Sequence, residues 1–371
     1  MKSKRIAIAC QGGGSQCAFV AGALKTLLAH GIHHRYRVVG LSGTSGGAVT
    51  AALGWVGLLK QAQGDSTPVA ERILGFWEDL TARTPPEIAL DNTCVQLIRL
   101  FESGFMPGLV SSPSSVAYQL WSKMISTLIS RPEFTDLRTL LSKYLDFEAL
   151  PTLVEHDSPV LLVGAADVLE GTFKIFSSAN NEISSDALLA SAAVPNLFPA
   201  VWVDGHAYWD GIFSSNPPVT GFLRKACMGP DMIPEEIWII QVNPWRLDSV
   251  PVRPSDISDR RNQMAGNLSL QHELQTLEMV NMMLEENALT DSFRARFGID
   301  LAAPIKVRFI RMSDDMSQKL DYPSKLSRQP AHISRLINEG EAQALAFLEE
   351  LGEADEDAMD HDFSEAVTFT H

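Results

Sequence analysis

The stretch that most constrains this chain lies between residues 5 and 58. An apolar run at 6–10 (IAIAC) leads into Gln11-Gly12-Gly13-Gly14-Ser15-Gln16-Cys17, and a helical pattern over 17–30 is closed by Gly31. A second apolar run at 38–41 leads into Gly43-Thr44-Ser45-Gly46-Gly47, and a second helical pattern covers 47–59. The order is strand, glycine turn, helix, given twice. Short apolar runs bounded by glycine suit strands buried on both faces, as in a parallel sheet. Both glycine turns then fall at the carboxyl ends of neighbouring parallel strands, the edge where open α/β sheets place their ligands.

The second turn reads G-x-S-x-G. In that pattern the serine sits on a sharp strand-to-helix bend, with its hydroxyl exposed above the sheet at a helix N-terminus that favours negative charge. Ser45 is therefore a candidate nucleophile. The backbone amides of Gly12, Gly13 and Gly14 are candidates for an oxyanion hole. Each turn alone has an ordinary structural reading. Their pairing on adjacent strands is what makes them specific.

Size and composition bound the rest. At 371 residues, 45% hydrophobic and 20% charged, the chain is large enough for one sizeable globular domain with insertions. Four cysteines (Cys10, Cys17, Cys94 and Cys227) form no C-x-x-C pair and read as reduced and buried. The opening residues lack the basic-then-apolar order of a signal peptide, and no run reaches transmembrane length. The expectation is a cytoplasmic protein, peripheral to a membrane at most. The net charge is −15, but nine acids without a single Lys or Arg fall between Glu349 and Glu365, so the body carries only −6. Residues 1–64 hold seven Lys or Arg and no acid. A nucleic-acid role needs a concentrated basic face with a matching motif, and none is present. The cluster His33-His34-Arg35-Tyr36-Arg37 suits a helix end on the sheet edge away from Ser45, with contact to anionic lipid as the other reading. The acidic segment 349–371 reads as a disordered tail.

Between 61 and 150 helical spacing predominates, over 68–80, 92–101, 113–129 and 135–145, with loops such as Phe105-Met106-Pro107-Gly108 between. This predicts a helical insertion or cap. Val116, Leu120, Trp121, Met124, Ile125 and Leu128 form one apolar stripe, which fits either core or a lipid-facing lid. Strands are predicted at 160–165, 172–176, 201–203, 206–209, 237–242 and 305–310, and helices at 184–193, 267–286 and 330–351, with a polar loop at 248–259. The hairpin ends at Asp210-Gly211-Ile212. Asp210 follows a strand and precedes glycine, a suitable place for a catalytic carboxylate. His206, His272 and His332 occupy no obvious catalytic position. No His/Asp/Glu cluster has ligand spacing, so no metal and no cofactor are expected.

Four segments in this order carry a resemblance: GGGSQCAFVAGAL, GTSGG, SAAVPNLFPAV and YWDGIFSSNPP. Together they resemble the patatin-like phospholipases. The likeness is strong over about 6–54 and 160–218 and loose elsewhere. It implies a three-layer α/β/α fold with a mostly parallel central sheet, in a catalytic domain over 1–348 with 61–150 as the insertion. It also implies a Ser–Asp dyad of Ser45 and Asp210, an oxyanion loop at Gly12–Gly14, and acyl-lipid substrates such as phospholipids at a membrane or micelle surface. The chain departs from the family pattern in two places: Gln16 replaces the usual cation, with Cys17 after it, and Ile212 follows the Asp-Gly pair. Other functions consistent with the residues are a soluble carboxylesterase or thioesterase and a non-catalytic lipid-binding member of the same fold. A dinucleotide-binding module wants an acid near the end of the second strand, and none occurs before Asp65.

Overall fold

A computed structural model of the chain describes residues 3–102, 112–195, 197–229, 232–297 and 303–368. The 105–108 loop and Asn196 lie outside them.

The centre is an eight-stranded sheet with strands β1 (Arg5–Cys10), β2 (Arg37–Gly43), β3 (Val160–Asp167), β4 (Phe173–Ser177), β5 (Val201–Val203), β6 (His206–Asp210), β7 (Glu236–Gln241) and β8 (Lys306–Arg311). The order is β5-β6-β3-β2-β1-β7-β8, with β4 also paired to β3. The β3-β2-β1-β7-β8 portion is parallel, and β4, β5 and β6 join antiparallel. Alternation explains the layers. Ile6, Ile8 and Cys10 of β1 and Trp238 and Ile240 of β7 point into one core, while Ala7, Ala9, Ile237 and Ile239 point into the other. Strands apolar on both faces need helices on both sides. The Ala18–Ala29, Gly46–Ala62 and Val69–Leu80 helices line the first core, and the Pro254–Glu285 helix lines the second. The fold is three-layer α/β/α, as the sequence predicted.

Several boundaries differ. The long helix begins at Pro254, inside the stretch read as a polar loop, because proline suits the first helical turn, where no amide partner is needed. The last helix runs Pro330–Thr368, so its backbone continues through the acidic segment read as a tail. Glutamate and alanine are strong helix formers, and periodicity was the signal that ended the predicted helix at 351. The helix read over 135–145 is two, Pro132–Thr135 and Leu137–Tyr144, divided at Asp136, whose carboxylate caps the second by accepting from Arg138 and Thr139 amides. Cys10 and Cys17 are buried, but Cys94 and Cys227 are only half-buried.

The 61–150 region is not uniformly a cap. Ile73, Phe76 and Trp77 of Val69–Leu80 and Leu140 and Leu141 of Leu137–Tyr144 are part of the main core. The Val116–Leu128 helix differs: Val116, Leu120 and Met124 are 71%, 64% and 45% exposed, one face at i, i+4 and i+8. The side chains of Trp121 and Leu128 lie outside the described residues. Of the two readings of the stripe, the outward-facing one holds for these three residues.

Candidate active site

β2 ends at Gly43, and Ser45 bridges it to the Gly46–Ala62 helix at φ 55 and ψ −131. A non-glycine residue in this region is strained, and such strain persists where the surroundings over-determine it. The Ser45 amide donates to Ser191 Oγ at 3.0 Å, while the Gly47 and Ala48 amides return to Thr44 O and Val49 to Ser45 O. The bend is therefore pinned on both sides.

Asp210 ends β6, which is paired through Ala165↔Asp210 to β3, itself the neighbour of β2. The register brings the carboxylate next to the Ser45 turn, where the Ser45 hydroxyl favours its ionised form. Asp210 is buried, at 1% exposure. Burial pushes its carboxyl up to about 7, against the Ile212 amide, the Ser45 hydroxyl and the Lys325 charge, which all favour ionisation. The Ile212 amide donates to Asp210 Oδ1 at 2.9 Å. The turn after Asp210 thus uses the backbone of residue 212, and an isoleucine serves as well as a smaller residue. Position 211 is different: a Cβ there would lie 2.3 Å from Gly164 O, so only glycine lets the turn close onto β3.

The Gln11–Cys17 loop comes in from β1. Gln11 is a buried hub: its Oε1 accepts the Val242 and Asn243 amides at 2.8 and 2.9 Å, and its Nε2 donates to Asn267 Oδ1 at 2.9 Å. The Gly12 amide donates to Asn216 Oδ1 at 2.7 Å, while Asn216 Nδ2 donates to Gly266 O at 3.0 Å. Of the three glycine amides read as oxyanion donors, that of Gly12 is thus already occupied in holding the loop. The Cys17 thiol, which burial pushes up to about 12, donates to Gln11 O at 3.4 Å. The Thr44 hydroxyl donates to Ser215 O, which joins the nucleophile turn to the segment after Asp210.

No histidine among the described residues bonds to Ser45 or Asp210. His206 Nδ1 is 2.8 Å from Asp167 Oδ2, His332 Nε2 is 3.1 Å from Ser324 O, and His272 is exposed on the Pro254–Glu285 helix. Sequence reasoning missed Ser191, Asn216 and Gln11. Asn216 had a signal, its place in the Ser-Ser-Asn-Pro-Pro segment. Ser191 likewise opens the SAAVPNLFPAV segment, whereas Gln11 had no signal beyond its place before the glycine loop.

Chemically, the arrangement is a hydroxyl on a strained turn, a buried carboxylate of raised proton affinity beside it, and a glycine loop adjoining both. This is the apparatus of acyl transfer.

No curated protein sequence matches the chain. Among solved structures, the chain is similar to VipD of Legionella pneumophila, at 15% identity and a TM-score of 0.43, over 94% of this chain and 67% of that one. It is also similar to the ExoU–SpcU complex from the type III secretion system of Pseudomonas aeruginosa, at 16% identity and a TM-score of 0.31, over 79% of this chain and 56% of that one. The family model of the patatin-like phospholipases matches residues 8–223, which include both glycine turns, Ser45 and Asp210. With more than half its length matched, the chain belongs to the patatin-like phospholipase family and, at that level, is a lipid hydrolase.

Proposed function

We propose that this chain is a serine lipid acyl hydrolase of the phospholipase A or lysophospholipase type, working through a Ser45–Asp210 dyad. The observation that carries the reading is the strained Ser45 on a turn beside the buried Asp210 carboxylate. Ser45 Oγ attacks the ester carbonyl carbon, and its proton passes to Asp210. The Gly13 and Gly14 amides meet the oxyanion. The tetrahedral intermediate collapses, and the alcohol leaves with the proton from Asp210. Water then attacks the acyl-enzyme carbonyl as Asp210 takes its proton, and collapse releases the fatty acid while Asp210 returns that proton to Ser45 Oγ. A base near pKa 7 is well matched to neutral pH.

Lipid as the substrate is supported by the apolar rim. Phe198, Trp202, Trp209 and Phe213, around the hairpin that carries Asp210, are 49%, 63%, 36% and 57% exposed. The Val116–Leu128 helix, with its outward apolar face, is fastened to the same region by the Tyr118 hydroxyl donating to Leu197 O. Aromatic and aliphatic groups exposed around one site suit acyl chains or a lipid surface. Among the described residues no helix is long and apolar enough to cross a membrane.

The test is an ester series assayed below and above the aggregation threshold. Each CH₂ taken from water contributes about 0.8 kcal/mol, so eight further carbons give at most ~6 kcal/mol in a dry channel, and less where the micelle already shelters the chain. Turnover is expected to rise with acyl length on monomeric esters and again at the interface, and a serine-reactive phosphonate to label Ser45. A preference for short soluble esters with no interfacial gain points instead to the soluble esterase or thioesterase reading.

A further inference from the structure

The glycine loop carries no charged side chain from Gly12 to Cys17, yet a cation is built against it from elsewhere. The segment 321–326, which contains the turn Pro323–Leu326, lies outside the family-matched region and is hydrogen-bonded to the loop at three points. Ser15 Oγ donates to Ser324 O at 2.9 Å, and Gln16 Nε2 donates to Ser324 Oγ at 2.9 Å and to Asp321 O at 3.2 Å. Gly14, at φ +59, comes so close that a Cβ on it would lie 2.3 Å from Lys325 O. The docked turn delivers Lys325, only 8% exposed, whose Nζ donates to Asn243 Oδ1 at 2.8 Å and Asn262 Oδ1 at 2.6 Å. Both acceptors are neutral amides. Holding an ammonium in a buried site without a carboxylate on it costs several kcal/mol, and natural chains keep such groups mainly at functional sites.

We infer that Lys325 is the positive pole of the hydrolytic site: a positioning residue that, from behind the glycine loop, favours negative charge on Asp210 and on the oxyanion. The inference rests on the hydrolase reading above. Gln16, where the family pattern has a cation, has a use in this arrangement, since it fastens the turn that brings the cation in. Asp210 feels the Lys325 charge, which works against the burial that raises its carboxyl. Burial also pushes the Lys325 ammonium down to about 8, opposed by Cys17, Asp259 and Asp210. The other charged or titratable groups on the elements packed there are tied up locally. Asp321 of the same turn pairs with Arg99, Asp91 holds the Arg328 amide and Gln329 Nε2, and His332 faces Ser324 O.

Two variants separate charge from structure. Lys325→Met removes the charge. Asn262→Asp leaves Lys325 in place and sets a carboxylate beside it, which neutralises the pole without undocking the turn. Each is expected to lower kcat by about 10- to 100-fold with KM within about threefold, less than the loss of a direct oxyanion donor. Wild type is expected to lose rate above about pH 8, as Lys325 is neutralised, and Lys325→Arg to retain most of kcat without that fall. A readout independent of turnover is the Asp210 carboxyl titration, followed by difference infrared spectroscopy. Its midpoint should move up in Lys325→Met and Asn262→Asp and stay put in Lys325→Arg. An unmoved midpoint with kcat within twofold of wild type in folded Asn262→Asp and Lys325→Met overturns the inference. If wild type turns over no faster than Ser45→Ala, the hydrolase reading has failed, and the titration alone decides whether Lys325 charges the site.

Discussion

Ser45→Ala and Asp210→Asn are each expected to lower ester hydrolysis by at least about 10³-fold with the fold intact, and the double variant to be little worse than either. The reason is geometric. Among the described residues no histidine bonds to Ser45 or Asp210, so in the proposed dyad removal of either partner removes the whole proton path. The pH profile gives an independent check. Asp210 acts as a base only when ionised, and burial holds its carboxyl at about 7. The wild-type kcat/KM should therefore fall about tenfold per unit below pH 7, and residual Asp210→Asn activity should lack that limb. Near-normal turnover in Asp210→Asn, with loss in His272→Ala or His332→Ala, would put the base elsewhere.

The second large effect concerns stability. Asp210 has an ordinary value of 3.8 and is raised to about 7 by burial. The native state therefore binds its proton more tightly than the unfolded chain. Below about pH 4 both states hold the proton, and the raised affinity costs nothing. As pH rises from 4 to 7 the unfolded chain ionises first, so stability falls, and above 7 the loss is complete. At about 1.4 kcal/mol per unit, the full loss is roughly 4 kcal/mol. Asparagine does not titrate. Measured by denaturant unfolding, the stability of Asp210→Asn relative to wild type should thus climb by about 4 kcal/mol between pH 4 and pH 8, whatever constant offset the amide introduces. A difference that stays flat across that range means that Asp210 does not titrate with a raised value. A variant that is inactive and more stable is the pattern expected of a group kept for function at the expense of the fold.

Much of this was legible in the sequence where local rules act alone. All eight strands coincide with strand segments read from the sequence, and β1, β2, β3 and β7 were plainest because strands buried on both faces leave little polar residue to blur them. Ser45 was legible because the bend it occupies demands glycines around it. Asp210 was legible only beside the two glycine turns and the family resemblance, since an Asp-Gly pair after a strand, such as Asp204-Gly205, is by itself an ordinary turn. The illegible parts are pairings over long sequence separations. That the Gly12 amide is spent on Asn216 depends on a side chain 204 residues away. Lys325 is one lysine in an unremarkable polar stretch, and only its docking on Gly14, Ser15 and Gln16 gives it significance. The Val116–Leu128 stripe shows a further limit: periodicity identifies an apolar face, and only tertiary placement decides whether anything covers it.

The sheet order has a consequence for synthesis. β1, which carries the glycine loop, is paired on one side by β2 soon after it is made. Its other side waits for β7, where Ile6 meets Glu236 and Cys10 meets Ile240. Until those residues leave the ribosome, a strand apolar on both faces keeps an open edge, and the candidate nucleophile Ser45 sits on an unfinished floor. Parallel pairing across such a separation is slow and exposes the nascent chain to aggregation. A fragment ending at residue 223 would contain every motif that identifies the family and still lack the partner of its first strand, so the recognisable part of this protein is smaller than its folding unit.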